Sequence, residues 1–243
     1  PKPAPLLPRY EVLVGTSGKR FVQVLPEIEA NWLQVMENSV DTTHTHYLHA
    51  RMMAAIGKPE RGAYYARPIE AYDFEVVKEE TWAGVRKIRT YGGANGEKEL
   101  GHPLIFPHAL LAPQEERLVM HFRVPIDDTH TMHWWYHAYV PPEGVETPQH
   151  LLTQTPPYYE PKLKTPDDEW DLDMIDAQDI MAWVTQGKIA DRTRENLAAS
   201  DQGVVAYRRM LMRELEKIER GEDPIGTIRD AAKNGPISLP IEK

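Results

Sequence analysis

Apolar side chains recur at three- and four-residue steps through Trp32, Leu33, Val35, Met36, Val40, Tyr47 and Leu48. That spacing predicts a buried amphipathic helix, or two short ones, over residues 31–49. Pro26-Glu27-Ile28-Glu29 reads as its opening, with acids in the first turn where the helix dipole favours them. Upstream, Tyr10–Val14 and Arg20–Leu25 read as short strands around the Gly15-Thr16-Ser17-Gly18 turn. Downstream, the glycine-containing stretch from Ala50 to Arg67 reads as a loop over or beside that helix. Strands follow at Tyr72–Lys78, Gly84–Tyr91, Leu118–Val124 and Thr131–Val140, with turns at Gly92–Gly96 and Pro125–Asp128. Prolines bracket a further strand pair between Pro103 and Pro113. The proline-rich run from Pro141 to Glu169 lacks periodicity and reads as a long irregular loop.

From Trp170 the period becomes helical. Met174, Ile175, Ile180, Met181, Trp183 and Val184 line a helix that stops at Gln186-Gly187. Ser200-Asp201 starts another, with Val204, Val205, Tyr207, Leu211 and Leu215 as its apolar face and Arg208, Arg209, Arg213 and Lys217 as a solvated one. Strands set between helices, closed by a long C-terminal helix, indicate an α+β fold with a mostly antiparallel sheet.

The first helical stretch carries unusual chemistry. Three histidines and two acids fall between Glu37 and His49. Burying imidazoles and carboxylates costs free energy unless they are paired or ligated, and a metal ion would satisfy them. Asp41 and His44, three apart, project from one helical face. His44 and His46 stand roughly 200° apart around a helix and diverge. His44 and His49 are about 140° apart, so they converge only if the helix ends or bulges between them. Two imidazoles with one carboxylate from elsewhere, and open positions, form the ligand set of oxygen-activating non-haem Fe(II).

Composition narrows the classes. The chain has 243 residues, a formal net charge of −9 and no cysteine. Its length suits one core, its acidity argues against nucleic acid or an anionic membrane as partner, and no run is long and apolar enough to span a bilayer. A soluble, cytoplasmic protein is the expectation. Without cysteine there are no disulfides, no thiolate catalysis and no cysteine-held iron–sulfur cluster.

Asn38-x-x-Asp41-x-x-His44-x4-His49, preceded by Asn31-Trp32, resembles the mononuclear-iron helix of the Rieske non-haem iron oxygenases, in the branch of phthalate dioxygenase and the O-demethylases. The resemblance implies that His44 and His49 bind iron, that Asp41 is the hydrogen-bonded electron-transfer bridge to a Rieske cluster, and that His46 points away. It also implies a helix-grip architecture and a homotrimer, in which the Rieske domain of a neighbouring subunit, fed by a reductase, delivers electrons. Asp179 is a carboxylate set among Met174, Ile175, Met181, Trp183 and Val184, where a partner is needed. Gln178-Asp179 resembles the family segment that supplies the third ligand. Asp171, Asp173 and Asp176 read as surface or cap residues. The Pro1–Pro8 stretch looks like a linker from an upstream Rieske domain, leaving residues 9–243 as the catalytic domain.

Other positions carry two readings each. His133, Trp135 and His137 share one face of a strand, with His133 and His137 about 13 Å apart and unable to share a metal. His133 is a candidate substrate donor and His137 a satisfied core histidine. Trp170 walls the pocket or packs in the core. Asn38 positions substrate or oxygen, or makes an ordinary helix contact. Met52 and Met53 line a lid or fill gaps, while His102 and His108 sit at loops or strand ends. The family likeness favours an aromatic acid as substrate, but no arginine can be placed in the pocket. A helix-grip module that binds an apolar ligand without redox chemistry is the alternative. A zinc hydrolase would leave Asn38 and Asp41 without a role.

Overall fold

The computed structural model describes residues 2–15, 17–57, 59–67, 69–78, 82–91, 96–114, 117–139, 141–142 and 144–239. Pro1, Thr16, residues 92–95 of the expected turn and Val140 lie outside them.

Tyr10–Val14 contains a helical turn, α1 (Glu11–Val14), rather than a strand. Its neighbour is the C-terminal segment, whose Ile237 carbonyl accepts from Glu11 N at 3.0 Å, so there is no ladder for it to join. Strand β1 (Arg20–Ile28) continues past Leu25 through Pro26. The register shifts between Leu25 and Ile28, so the proline sits at a bulge where its missing N–H interrupts no regular pairing. Helix α2 (Trp32–Glu37) therefore starts later than expected, where Asn31 caps it by accepting from Leu33 N at 3.0 Å. A π-helical turn covers Thr45–His49. The expected loop after it is instead two short helices, α3 (Ala50–Ala55) and α4 (Pro59–Tyr65). Pro59 opens α4 in the position where proline is tolerated, and Met52 and Met53 are buried.

Strands β2 (Ile69–Lys78), β3 (Ala83–Tyr91), β4 (Glu97–Leu100), β5 (Leu104–Ile105), β6 (Ala109–Gln114), β7 (Arg117–Pro125) and β8 (Thr131–Tyr139) follow. The proline-rich run holds α5 (Gln149–Thr153) and β9 (Tyr158–Tyr159), and then come α6 (Ile175–Val184) and α7 (Gln202–Glu219). The sheet order is β2-β3-β5-β6-β7-β8-β1-β9, with β4 paired to β3. Every pairing is antiparallel except β1 with β9. This is an α+β helix-grip fold. No helix among the described residues is long and apolar enough to cross a membrane.

Period-two alternation splits the sheet into two faces. One face packs Ile105, Leu111, Met120 and Ala138 against Tyr10, Val12, Ile237 and Leu239. On the other, Val119 and Trp135 meet α6 through Ile180 and Trp183, while Val85 and Leu104 meet α2 and α7 through Met36, Val204, Tyr207 and Met210. Two features of α7 depart from the expected amphipathic split. Leu215 is half exposed and Glu214 is buried, its carboxylate accepting from Ile225 N and Lys217. Arg208 is not simply solvated, because Glu37 of α2 and Glu195 hold it at 2.7 and 2.6 Å.

The close approach of β3 and β5 needs a residue without a side chain. A Cβ on Gly84 would stand 1.8 Å from the Leu104 carbonyl oxygen. Gly84→Ala is expected to lower stability by about 1–3 kcal/mol or more, the range of an overpacked core, as read from the urea midpoint at unchanged m-value.

Candidate metal centre

The π turn answers the geometric problem posed by a five-residue spacing. Ala50 N donates to the Thr45 carbonyl, five residues back, which widens the turn and carries His49 round towards His44. The two rings lie 5.4 Å apart, edge to face. Asp179, from the middle of α6, completes the group: His44, His49 and Asp179 each offer one ligand atom, all within 4.8 Å of one another. The nearest approach is His49 Nε2 to Asp179 Oδ1 at 3.2 Å.

The surrounding hydrogen bonds set the imidazole tautomers. His44 Nδ1 lies 2.7 Å from the Asp41 backbone carbonyl, which can only accept, so Nδ1 carries the proton and Nε2 keeps its lone pair. His49 Nδ1 lies 2.7 Å from Gln178 Oε1, while Gln178 Nε2 donates to the Leu172 carbonyl at 2.7 Å. That second bond fixes the amide orientation, so His49 too presents a bare Nε2. Two neutral nitrogens and one carboxylate oxygen, each oriented by an outer partner, make a donor set that fits a divalent transition-metal ion. Burial pulls the His44 pKa down, in keeping with a neutral ring. Burial also opposes charging of Asp179, but when His49 is protonated its Nε2–H donates to the carboxylate, and with the charges of His44 and Arg123 this outweighs burial and holds the carboxyl below its ordinary value; a metal ion would take that proton's place.

Asp41 is not on a continuous helix with His44. Its Oδ1 accepts from Thr43 N at 2.7 Å, Thr43 Oγ1 at 2.8 Å and His44 N at 3.3 Å, capping the start of the π turn, while Oδ2 lies 4.0 Å from His44 Nδ1. Asn38 bonds the candidate ligand itself: its Nδ2 donates to Asp179 Oδ1 at 3.3 Å. Behind it stands Arg123, which donates to the Val35 carbonyl at 2.7 Å, to Ser39 Oγ and to Asn38 Oδ1 at 3.4 Å. Sequence reasoning misses Arg123. The available signal is a cation on the same face of β7 as the core residue Val119, a position where charge must be satisfied. His46 packs edge-on against exposed Tyr47 and stays out of the cavity.

The triad opens on a cavity of about 990 Å³. His121, Arg123, His133, Trp135 and His137 line it from β7 and β8, and Lys87 and Arg89 from β3. His133 is buried, stacks on Trp135 at 3.7 Å and shares a 3.3 Å contact between its Nε2 and His121 Nδ1, leaving its Nδ1 unpaired. His137 departs from its expected role. It stacks on Phe21 at 4.0 Å, but neither ring nitrogen has a hydrogen-bond partner, because the residues across the strands from it are Phe21 and Val119. His102 lies in the loop before β5 and lines the cavity, whereas His108 lies in the turn after β5, outside it. Trp170 is absent from the cavity wall; it is half buried against the Ile180 and Trp183 core, with Lys164 Nζ 4.8 Å from its ring. Asp176 is no surface cap: it lines the cavity, Gln23 donates to it at 2.8 Å, and burial raises its pKa. Asp171, by contrast, caps locally by accepting from Asp173 N at 3.2 Å.

Known proteins share these segments. Residues 28–104 match the family described as the vanillate O-demethylase oxygenase C-terminal domain, and residues 168–238 match the LigXa C-terminal-domain-like family. Together these segments hold the two histidines and Asp179. The 5,5'-dehydrodivanillate O-demethylase oxygenase subunit of Sphingobium sp. (strain NBRC 103272 / SYK-6) is 33% identical over 99% of this chain and 54% of its own length. The phthalate 4,5-dioxygenase oxygenase subunit of Pseudomonas putida is 30% identical over 82% of this chain and 52% of its own. The chain thus spans about half the length of the curated relatives it matches. Among solved structures, the oxygenase in a ferredoxin complex of carbazole 1,9a-dioxygenase shares the fold, with TM-score 0.53 at 16% identity over 86% of this chain and 59% of that one. On sequence, fold and the converging ligand atoms, the chain belongs to the Rieske non-haem iron oxygenases, as an α-subunit catalytic domain of the O-demethylase and phthalate dioxygenase branch.

Proposed function

We propose that this chain is the catalytic domain of an oxygenase that hydroxylates, or oxidatively demethylates, an aromatic substrate, an aromatic acid for preference, using Fe(II) and O2. The observation that supports it most is the meeting of His44, His49 and Asp179 at the wall of a cavity large enough for a substituted ring. When bound, the iron supplies oxygen activation at positions the three side chains leave open. The protein's own contribution is orientation. Asp41 and Gln178 fix the tautomers of the two histidines, and Asn38 fixes the rotamer of Asp179. Trp135, Trp183 and Leu110 give a substrate ring apolar surface and keep water away.

Electrons require a Rieske [2Fe–2S] cluster, which a chain without cysteine cannot hold. In this reading the cluster belongs to a Rieske domain outside residues 1–243, reduced by a reductase and docked from a neighbouring subunit of a trimer. Asp41, hydrogen-bonded next to His44, is its bridge to the metal centre. Product formation with and without an added Rieske domain tests the assignment: these residues alone should bind iron and substrate without multiple turnover. Sustained turnover by the isolated domain would reject it. The apolar-ligand-binding alternative leaves two tautomer-locked histidines and a facing carboxylate without purpose.

The outer hydrogen bonds carry their own prediction. Gln178→Leu keeps the volume near His49 but releases its Nδ1 and should weaken Fe(II) affinity about 10–100-fold, measured by anaerobic competition with a chelator. Unchanged affinity would show that His49 needs no support from α6.

A further inference from the structure

The face of β3 that carries Val85 into the core also carries Lys87 and Arg89 towards the cavity. Lys87 is 7% exposed, an unusual place for an ammonium. Room for it is built in: a Cβ on Gly101 would lie 3.2 Å from both Cβ and Cε of Lys87, so the glycine leaves space for the alkyl stem, and Gly101 N donates to the Lys87 carbonyl at 2.8 Å.

Two other cations of the cavity wall, Arg89 and Arg123, are already engaged. Arg89 is paired with Glu99, which also receives Arg67 at 2.7 Å. Arg123 is consumed by Val35, Ser39 and Asn38. Among the described residues Lys87 Nζ makes no hydrogen bond; its interactions with Asp41 and Glu99 are Coulombic alone. Of the nearby acids, Glu99 is shared by two arginines, while Asp41 gives one oxygen to Thr43 and His44; both attract the Lys87 charge without a hydrogen bond to it. A buried ammonium facing a cavity with none of its three donors satisfied is costly unless a ligand supplies the acceptor. Burial accordingly pulls its pKa down to about 7.

We propose that Lys87 is the carboxylate anchor of the cavity, binding the acid group of an aromatic carboxylate so that the ring lies between β3 and the His44, His49 and Asp179 centre. The proposal rests on the cavity's being the oxygenase's substrate chamber and adds the residue that selects for an acid. Charge and solvation choose the ligand: a compact ammonium on a ring-lined wall suits one anionic oxygen group on an apolar body.

The test is equilibrium binding of benzoate and 4-methoxybenzoate, each against its own amide, followed by the fluorescence of the cavity tryptophans Trp135 and Trp183. Wild type, Lys87→Met and Lys87→Arg are compared, with Fe(II) binding and thermal unfolding measured on the same samples. Wild type should favour each acid over its amide. Lys87→Met should weaken the acids about 10–100-fold, the value of a hydrogen bond to a charged group, and leave the amides within about 3-fold. Lys87→Arg should restore part of the acid preference. The proposal is overturned if wild type favours neither acid over its amide, if Lys87→Met binds acids as wild type does, or if it loses acids and amides equally. Retained iron binding alongside any of those results removes the anchor alone; absent iron binding in the wild type removes the oxygenase reading instead.

Discussion

His49→Ala is expected to reduce bound Fe(II) from about one ion per chain to near none, while the far-ultraviolet circular dichroism stays that of the wild type. The reasoning starts from the π turn. Ala50 N bonds to the Thr45 carbonyl instead of to His46, one residue nearer, and the widened turn aims the His49 ring at Asp179. Removing the ring deletes one of three ligand atoms and leaves Gln178 Oε1 without its donor. Two ligands on a partly open cavity do not compete with water for a ferrous ion. The fold should survive, since the cores formed by Val119, Trp135, Ile180 and Trp183 on one side and Met36, Val85, Tyr207 and Met210 on the other do not include His49. Metal analysis after chelator-free anaerobic reconstitution measures the loss; wild-type iron content in the variant would place the ion elsewhere.

Arg123→Met should be the most destabilising single change near the site, lowering stability by about 3–5 kcal/mol, the range for uncoupling a buried charged network. For a domain of this size that corresponds to a fall of about 6–20 °C in Tm, measured by calorimetry. Arg123 is 2% exposed and its guanidinium sits 4.9 Å from the Trp183 ring centroid. Burial pulls its pKa down to about 10, so it stays charged at neutral pH. It ties the end of α2, through Val35 and Ser39, to β7, and passes through Asn38 to Asp179. Methionine fills similar space but leaves the Val35 carbonyl, Ser39 and Asn38 with fewer donors, each a desolvated polar group. Arg123→Lys, which keeps the charge but not the fork, should recover only part of the loss. A Tm unchanged in Arg123→Met would mean that α2 is held to the sheet by its apolar contacts alone.

What is legible in the sequence follows from which residues speak for themselves. Val119, Trp135 and their alternating neighbours announce β7 and β8, because period two with one buried face is a strong local signal. Asp179 stands out as a charge inside an apolar helix, and His44 and His49 as imidazoles among core residues. Their five-residue spacing states its own condition, a bulge, and the structure contains one. By contrast, α3 and α4 resemble a loop in sequence because Gly57, Pro59 and Gly62 break the apolar period before either short helix can declare itself. The turn at Tyr10–Val14 imitates a strand because its partner, Ile237, lies at the far end of the chain, and local pattern carries no trace of it. Arg123 and Lys87 are silent for a related reason, since each acquires its role only from residues brought in by another element; Gln178 is legible as the neighbour of Asp179, but not its bond to His49.

The central claim is that His44, His49 and Asp179 together hold one ferrous ion with room beside it. Electron paramagnetic resonance of the anaerobic, iron-reconstituted domain after nitric oxide addition tests it most directly. The account predicts the signal of nitric oxide bound to high-spin ferrous iron, at about one spin per chain in wild type and lost in Asp179→Ala. A protein that stays silent because it takes up zinc or no metal, or a signal that survives Asp179→Ala unchanged, would contradict it.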